Sequence, residues 1–229
     1  MTAAALALGG SVAADARSAG AADAALDRAL RELVEMPGGP PGAIAIVQRG
    51  SSLRVHAFGV AALGASGRPR KNDYMRIASV TKAFSGAVAL SLVDEGILSL
   101  DDTVGRWLPG QPSAWHAVTL RQLLGHTSGL PDFAESEAWR EAVAGSLAVA
   151  PPPAALLAFV ADEPLTFTPG TQYRYSNSDN IAVGLMVEAA TRTSYEEALR
   201  NQVLQPLGLR RTSLPAIPSS RRPSSTGTT

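Results

Sequence analysis

The stretch Ser79-Val80-Thr81-Lys82 opens the segment of sequence that decides the fold. Apolar residues recur at helical spacing from Ser79 to Glu95, and Gly96 supplies a C-terminal stop. Residues i and i+3 of a helix are neighbours, with Cβ atoms about 5–6 Å apart. The Lys82 amine can therefore reach the Ser79 hydroxyl. Because a Ser hydroxyl is a weak nucleophile without an adjacent base, this pair predicts an activated nucleophile.

The composition of the chain draws attention to Lys82. The 229 residues include 18 Arg but only two Lys, Lys71 and Lys82. Arg cannot lose its proton in a protein, whereas Lys can. A Lys in the first turn of a helix also faces the positive end of the helix dipole, which disfavours its charged form. The alternative is an N-cap Ser beside a surface Lys, because this four-residue pattern often arises by chance.

A second signal is Tyr175-Ser176-Asn177, at the join between a loop and a helix predicted over Ser178–Thr191. A Tyr hydroxyl can transfer protons when a nearby cation lowers its pKa. An Asn side chain can donate to a substrate carbonyl. Ordinary turn and capping chemistry is the alternative explanation for these three residues.

Composition and charge exclude several classes of function. The 20 basic and 20 acidic residues balance, so a nucleic acid partner is not expected. The absence of Cys removes disulfides and thiol nucleophiles. The three His residues form no pair at ligand spacing, so a zinc site is not predicted. No apolar run is long enough to span a membrane.

The two ends of the chain differ in composition from the domain predicted over residues 21–214. Residues 1–16 are Ala-rich and contain two small-x-Ala patterns, which predicts the remains of an export signal and an extracellular or cell-wall location. The alternative is an Ala-rich tail on a cytoplasmic protein. Residues 215–229 contain one large apolar residue, Ile217, and are predicted to be disordered.

The remaining pattern predicts one β-hairpin and several helices. The hairpin pairs Ala43–Val47 with Leu53–Val60, with His56 on a partly solvated face. A helix is predicted before the hairpin, with Asp23 as its N-cap. Further helices are predicted over Thr119–Leu124, Ala154–Ala161 and Tyr195–Gln205. A lone two-stranded hairpin is marginal in water, so either helices cover it or the sheet lacks strands.

Five separated blocks of sequence together resemble the serine β-lactamase and penicillin-binding superfamily, particularly its branch of class C β-lactamases and D-alanyl-D-alanine carboxypeptidases. The resemblance runs from about Ala21 to Leu214. The matching blocks are Met75–Lys82, Leu92–Asp102, Thr119–Pro131, Phe167–Gly170 with Tyr175–Asn177, and Pro206–Leu209.

The resemblance implies both a fold and a set of roles. The fold would be α/β, of the α+β kind, with an all-helical subdomain beside a mixed sheet of which this chain holds the first hairpin. Ser79 would be the acylated nucleophile, Lys82 its general base and Tyr175 a proton relay. Asn177 would orient the substrate amide, and His126 would belong to a structural loop. No cofactor is implied, and the partner would be a small-molecule or peptide substrate.

The chain departs from the family pattern after Asn177. The family carries a third motif, K-T-G or H-x-G, on a strand that lines the active site. Ser225-Thr226-Gly227 lacks the basic residue of this motif and any strand character. We therefore expect this chain to be a C-terminally truncated member of the family. The expected function is a serine hydrolase of the carboxypeptidase or β-lactamase type. The alternatives are an inactive remnant, a non-catalytic binder of cell-wall peptide, and an esterase of the same superfamily.

Overall fold

The computed structural model describes residues 9–64, 66–145 and 151–214, with side chains from Gly20 onward. The chain divides into two compact units, Met1–Arg76 and Ile77–Thr229. The sequence analysis did not predict a boundary at Arg76. Half of the predicted export signal, residues 1–8, and the whole predicted tail, residues 215–229, lie outside the described residues.

The first unit consists of a long helix and a hairpin. Helix α1 spans Gly9–Glu35, strand β1 spans Gly42–Arg49 and strand β2 spans Ser52–Gly59. The strands are antiparallel, from Gly42 opposite Gly59 to Arg49 opposite Ser52. Gly50 in the connecting turn has a φ of +56°, which glycine adopts without strain. The predicted hairpin is confirmed.

Two expectations for this unit are wrong. Asp23 lies well inside α1 and is not its N-cap. His56 is 8% exposed, and its Nδ1 lies 2.9 Å from Asp27 Oδ1. Asp23 and Asp27 stand one helical turn apart and face β2, where Asp23 also pairs with Arg54. The polar face of the hairpin is therefore the one that packs against α1.

In the described residues of the second unit the regular elements are helices, joined by turns and loops, with one isolated β-bridge between Thr103 and Thr119. It begins with a 3₁₀ turn at Ala78–Val80 and helix α2 at Thr81–Asp94. The following helices are α3 at Val104–Trp107, α4 at Leu120–Leu124, α5 at Glu137–Gly145, α6 at Pro153–Ala158, α7 at Asn177–Thr191 and α8 at Tyr195–Leu199, which continues as a π-helical turn at Arg200–Leu204.

The helices of this unit enclose an apolar core. Its fully buried side chains come from α2, α3, α4, α6, α7 and the connecting turns, and include Val88, Leu92, Val104, Trp115, Leu120, Leu157, Val183 and Met186. The five helices predicted after Ser79 all exist, with shifted ends. Helices α3 and α5 were not predicted. Helix α3 has four residues, too few to show a helical period. Helix α5 does carry such a period in Ala138, Trp139, Ala142 and Val143, which the sequence analysis did not use.

Candidate active site

Ser79 and Lys82 lie at the junction of the 3₁₀ turn and α2. Ala78, just before Ser79, has a φ of +44°, in the left-handed region that a non-glycine residue rarely adopts. Such strained backbone tends to occur at functional sites. Ser79 is exposed, and Lys82 Nζ lies 3.4 Å from Ser79 Oγ. The helical spacing therefore brings the two side chains together as the sequence predicts.

Tyr175 and Asn177 reach the same two side chains from the start of α7. Tyr175 Oη lies 2.8 Å from Ser79 Oγ. Lys82 Nζ donates to Asn177 Oδ1 at 2.9 Å, and Tyr175 Oη donates to the same oxygen at 3.3 Å. All four site residues identified from the sequence thus form one hydrogen-bonded cluster.

The electrostatics of the cluster act mainly on Tyr175. Hydrogen bonding to Lys82, and secondarily to Ser79, lowers the pKa of the Tyr175 phenol below its ordinary value of 10.0, against a smaller opposing effect of burial. Lys82 Nζ also lies 4.8 Å from the centre of the Tyr175 ring. A lowered pKa makes the phenolate more accessible, which suits a group that gives and takes protons.

A loop that follows α4 holds the segment that carries Tyr175. Three backbone hydrogen bonds join them: Arg174 N–H to His126 O at 2.9 Å, Gly170 N–H to Thr127 O at 2.7 Å and Thr166 N–H to Gly129 O at 2.8 Å. Gly129 has a φ of +77°, and a Cβ there would lie 2.4 Å from the Phe167 carbonyl oxygen. Only glycine permits this close approach of the two segments.

Ser178, in the first turn of α7, fastens the end of the same loop. Its fully buried hydroxyl donates to Pro131 O at 2.6 Å and accepts from Phe133 N–H at 3.0 Å. Asp132 lies between these two contacts, and its Oδ2 accepts from Asn177 Nδ2 at 2.9 Å. The backbone on both sides of Asp132 is thereby fixed to the helix that carries Asn177.

A buried polar group lies behind the His126 ring, which packs against Tyr175. Asp179 is fully buried; its carboxyl lies 2.9 Å from His126 Nδ1 and accepts a hydrogen bond from Ser128 Oγ. Burial raises the pKa of the Asp179 carboxyl, and these two hydrogen bonds partly offset the rise. The His126 ring lies 4.7 Å from the Tyr175 ring, at an interplanar angle of 43°. His126 thus lies in the loop after α4, and its ring packs against a site residue.

Three residues of this arrangement were missed by sequence reasoning: Asp132, Ser178 and Asp179. Asp132 directly follows the matched block that ends at Pro131, and the other two directly follow Asn177. Their signal was this proximity to the blocks. Their pairing across about 50 residues of sequence has no local signature.

The described residues contain neither a candidate metal-binding cluster nor a candidate membrane-spanning helix. No group of three or more His, Cys, Asp or Glu side chains there could hold a metal ion. No helix in the part of the chain that the structure describes is both long and apolar enough to cross a membrane.

Comparison with known proteins identifies the family. The family model described as Beta-lactamase matches residues 26–229, which is most of the chain. The chain belongs to the beta-lactamase family. Family members similar to this chain are serine hydrolases. The match also confirms the expected fold class. The described residues contain the helical part of this fold and a two-stranded sheet.

Individual relatives of the chain carry the names of different activities. It is 31% identical over 178 residues to "Penicillin-binding protein 4*" of Bacillus subtilis, covering 75% of this chain and 37% of that protein. It is 37% identical over 207 residues to "Esterase EstB" of Burkholderia gladioli, covering 82% of this chain and 49% of that protein.

A solved structure shows the same fold. The D-stereospecific amidohydrolase from Streptomyces sp. superimposes with a TM-score of 0.72 and 31% identity, over 82% of this chain and 55% of that one. The chain therefore spans between about a third and just over half of the length of these three proteins.

Proposed function

We propose that this chain carries the nucleophilic centre of a serine hydrolase that cleaves an amide or ester through an acyl-enzyme. The observation that supports this most directly is the position of Ser79 Oγ, 2.8 Å from Tyr175 Oη and 3.4 Å from Lys82 Nζ. An exposed hydroxyl with two proton-transfer groups within reach is the arrangement that nucleophilic catalysis requires.

The cluster supports a complete proton cycle for acylation. Ser79 Oγ attacks the substrate carbonyl carbon while neutral Lys82 takes the hydroxyl proton. When the bond to the leaving nitrogen or oxygen breaks, Tyr175 gives that atom its proton. The Lys82 ammonium then returns a proton to the Tyr175 phenolate, which is its hydrogen-bonding partner. The net result is an ester on Ser79 and a protonated leaving group.

Two groups remain to orient the substrate and stabilise its charge. The Ser79 N–H lies in the first turn of a helical segment, where backbone donors lack intrahelical partners and favour a developing oxyanion. Asn177 Nδ2 carries two hydrogens, and its bond to Asp132 uses one of them. The other is the one that would contact a substrate amide.

The substrate class is an amide or ester with an accessible carbonyl. Candidates are a D-alanyl-D-alanine peptide, a β-lactam and a small ester, which correspond to carboxypeptidase, β-lactamase and esterase activity. The 37% identity to a protein named as an esterase supports the third. The similarity to a penicillin-binding protein and to a D-stereospecific amidohydrolase supports amide substrates.

Intact-protein mass spectrometry tests the proposal. The chain would be incubated separately with a penicillin and with p-nitrophenyl acetate, and the mass increase measured over time. We expect an acyl adduct that maps to Ser79, is absent from Ser79→Ala and persists in the control Ser91→Ala. An adduct of equal extent in Ser79→Ala would remove the nucleophile assignment. A chain that binds penicillin without any adduct would instead support the non-catalytic binder.

The same proposal includes export to the extracellular side or the cell wall, supported by the small-x-Ala patterns of residues 11–16. N-terminal sequencing of the protein recovered from the culture medium and from the cytoplasm would test it. Recovery only from the cytoplasm with residue 1 intact would contradict export.

A further inference from the structure

The Asn177 side chain has two chemically different ends that look alike in shape. Its Oδ1 only accepts hydrogen bonds and its Nδ2 only donates them. In the cluster Oδ1 faces the two donors Lys82 Nζ and Tyr175 Oη. Rotation of the amide by half a turn would place Nδ2–H groups against these donors instead. The orientation of this amide is therefore a requirement of the site.

Asp132 supplies what sets this orientation. An ionised carboxylate only accepts hydrogen bonds, so it selects the Nδ2 end of the amide, which it contacts at 2.9 Å. Its other oxygen, Oδ1, accepts from Ala134 N–H at 3.0 Å and caps the 3₁₀ turn Phe133–Glu135. Both oxygens are thus engaged, and the carboxylate has little freedom to rotate.

The backbone around Asp132 is fixed relative to Asn177. The buried Ser178 hydroxyl bonds Pro131 on one side of Asp132 and Phe133 on the other. Ser178 is the neighbour of Asn177 in α7, so the distance between Asp132 and Asn177 is set by the fold and not by a flexible side chain.

We propose that Asp132 is a positioning residue, which holds the Asn177 amide so that Oδ1 faces Lys82 and thereby aims the Lys82 lone pair at Ser79. A neutral amine has two N–H groups and one lone pair. When one N–H is directed to Asn177 Oδ1, the lone pair is free to face the Ser79 hydroxyl 3.4 Å away. The kinetic part of this inference rests on the proposed function, whereas the contact between Asp132 and Asn177 does not.

The kinetic test compares Asp132→Asn with Glu135→Gln. Both remove one carboxylate from the same 3₁₀ turn, but Glu135 pairs with Arg174 and does not contact the cluster. In Asp132→Asn, the amide introduced at position 132 can both donate and accept hydrogen bonds, so it can pair with either end of the Asn177 side chain. The Asn177 amide therefore loses its fixed orientation. We expect the acylation rate constant at saturating p-nitrophenyl acetate to fall about 10- to 100-fold, the loss typical of a hydrogen bond to a charged group.

Binding and folding separate a positioning role from a structural one. In Asp132→Asn we expect the half-saturating concentration of the ester to stay within about twofold and the circular dichroism to match the wild type. Glu135→Gln should acylate within about twofold of the wild type. Equal acylation rate constants in Asp132→Asn and Glu135→Gln would overturn the proposal.

A double-mutant cycle on folding tests the contact without any activity. Asn177→Asp alone places two carboxylates together, and Asp132→Asn alone frees the amide. The exchanged pair Asp132→Asn/Asn177→Asp again places one donor opposite one acceptor. We expect its unfolding equilibrium constant to be at least about threefold smaller than the value that the two single effects predict when they are added.

The pair Glu135→Gln/Asn177→Asp is the control, and its effects should add. Additive effects in the exchanged pair would overturn the proposal, whether or not Ser79 is acylated. If the wild type shows no acyl adduct, the proposed function fails while the cycle still decides the contact between Asp132 and Asn177.

Discussion

The two halves of the candidate catalytic cluster are built in different ways. Ser79 and Lys82 stand three residues apart in one stretch of helix, and the spacing alone brings Nζ within 3.4 Å of Oγ. Tyr175 and Asn177 reach the same atoms from 96 and 95 residues away. Their position depends on contacts with the loop that runs from His126 to Phe133. One half is local in sequence, and the other depends on tertiary contacts.

Substitutions in the local half are expected to change activity more than they change folding stability. Ser79 is exposed and Lys82 half-buried, so changing either side chain removes little buried surface. The distant half rests on fully buried polar groups, Ser178 and Asp179. Substitution of these residues should disturb folding and activity together, because an unpaired buried donor or acceptor is costly.

Lys82→Arg should give the largest change in activity. The substitution keeps the positive charge, but Arg, unlike Lys, cannot lose its proton and act as a neutral base. General-base catalysis contributes about 10²–10⁴-fold, so acylation of Ser79 should slow by that factor or more. Stopped-flow or mass-spectrometric acylation rates would measure the effect.

The fold of Lys82→Arg is expected to stay intact, which thermal unfolding monitored by circular dichroism would show. Acylation at the wild-type rate in this variant would refute Lys82 as the base. Loss of folding would show that the local half also has a structural role. The two halves would then not differ in their contribution to stability.

Asp179→Ala should give the largest loss of stability. It leaves the His126 and Ser128 donors without their acceptor in a fully buried place. Each buried donor left unpaired costs about 1–3 kcal/mol of unfolding free energy, and this substitution leaves two of them. Urea denaturation would measure it, and the His126 ring that packs against Tyr175 should lose its fixed position.

Asp101→Ala is the matched control, because Asp101 pairs with Arg121 and both side chains are exposed. An exposed pair contributes about 0–1 kcal/mol. If Asp179→Ala destabilises the protein no more than Asp101→Ala does, the buried group is not what holds the distant half.

Ser178→Ala should give an intermediate effect on both stability and activity. It removes the hydroxyl that bonds Pro131 O and Phe133 N–H, and leaving such buried groups unpaired costs about 1–3 kcal/mol. Because Asp132 lies between these contacts, acylation should also slow. Urea denaturation and acylation rates on the same preparation would measure the two effects.

Ser136→Ala separates local from long-range contacts. The Ser136 hydroxyl is also buried, but it bonds Phe133 O and Trp139 N–H within its own turn. It should lower stability without slowing acylation. Slower acylation in Ser136→Ala to the same extent as in Ser178→Ala would mean that any loss of stability in this region impairs the site.

The sequence predicted most of the site because its motifs lie at element boundaries. Helical spacing decides the distance between Ser79 and Lys82, and the resemblance to a known family linked them to Tyr175 and Asn177. Asp132 and Asp179 escaped because their partners, Asn177 and His126, lie 45 and 53 residues away. No periodicity or local motif encodes which acidic residue will face which partner across such distances.

The fold shows the same limit in the first unit. Alternation along β2 correctly predicted a strand and its two faces, but not which face packs against α1. The face with His56 and Phe58 does so, through Asp27 and through Arg31, whose guanidinium lies 5.1 Å from the Phe58 ring. Val55, on the other face, is exposed. Contacts of polar and charged side chains thus determine which face is buried here, whereas apolar patterning alone favours burial of the face with Val55.

The smallest expected effect is on the ionisation of Tyr175, where the two halves of the cluster meet. Hydrogen bonding to Lys82 and then to Ser79 lowers the pKa of the Tyr175 phenol, so its phenolate should appear at a lower pH than that of an ordinary tyrosine. The difference in phenolate absorbance between the wild type and Tyr175→Phe, followed as the pH rises, isolates this group. In Lys82→Met the largest cause of the shift is gone, so the titration should move to higher pH, towards 10.0. Ser79→Ala should move it in the same direction by less, since the hydrogen bond to Ser79 is the second cause. An unchanged titration in Lys82→Met would mean that the local half does not tune the distant half, and that proton transfer between Lys82 and Tyr175 has no basis in the free protein.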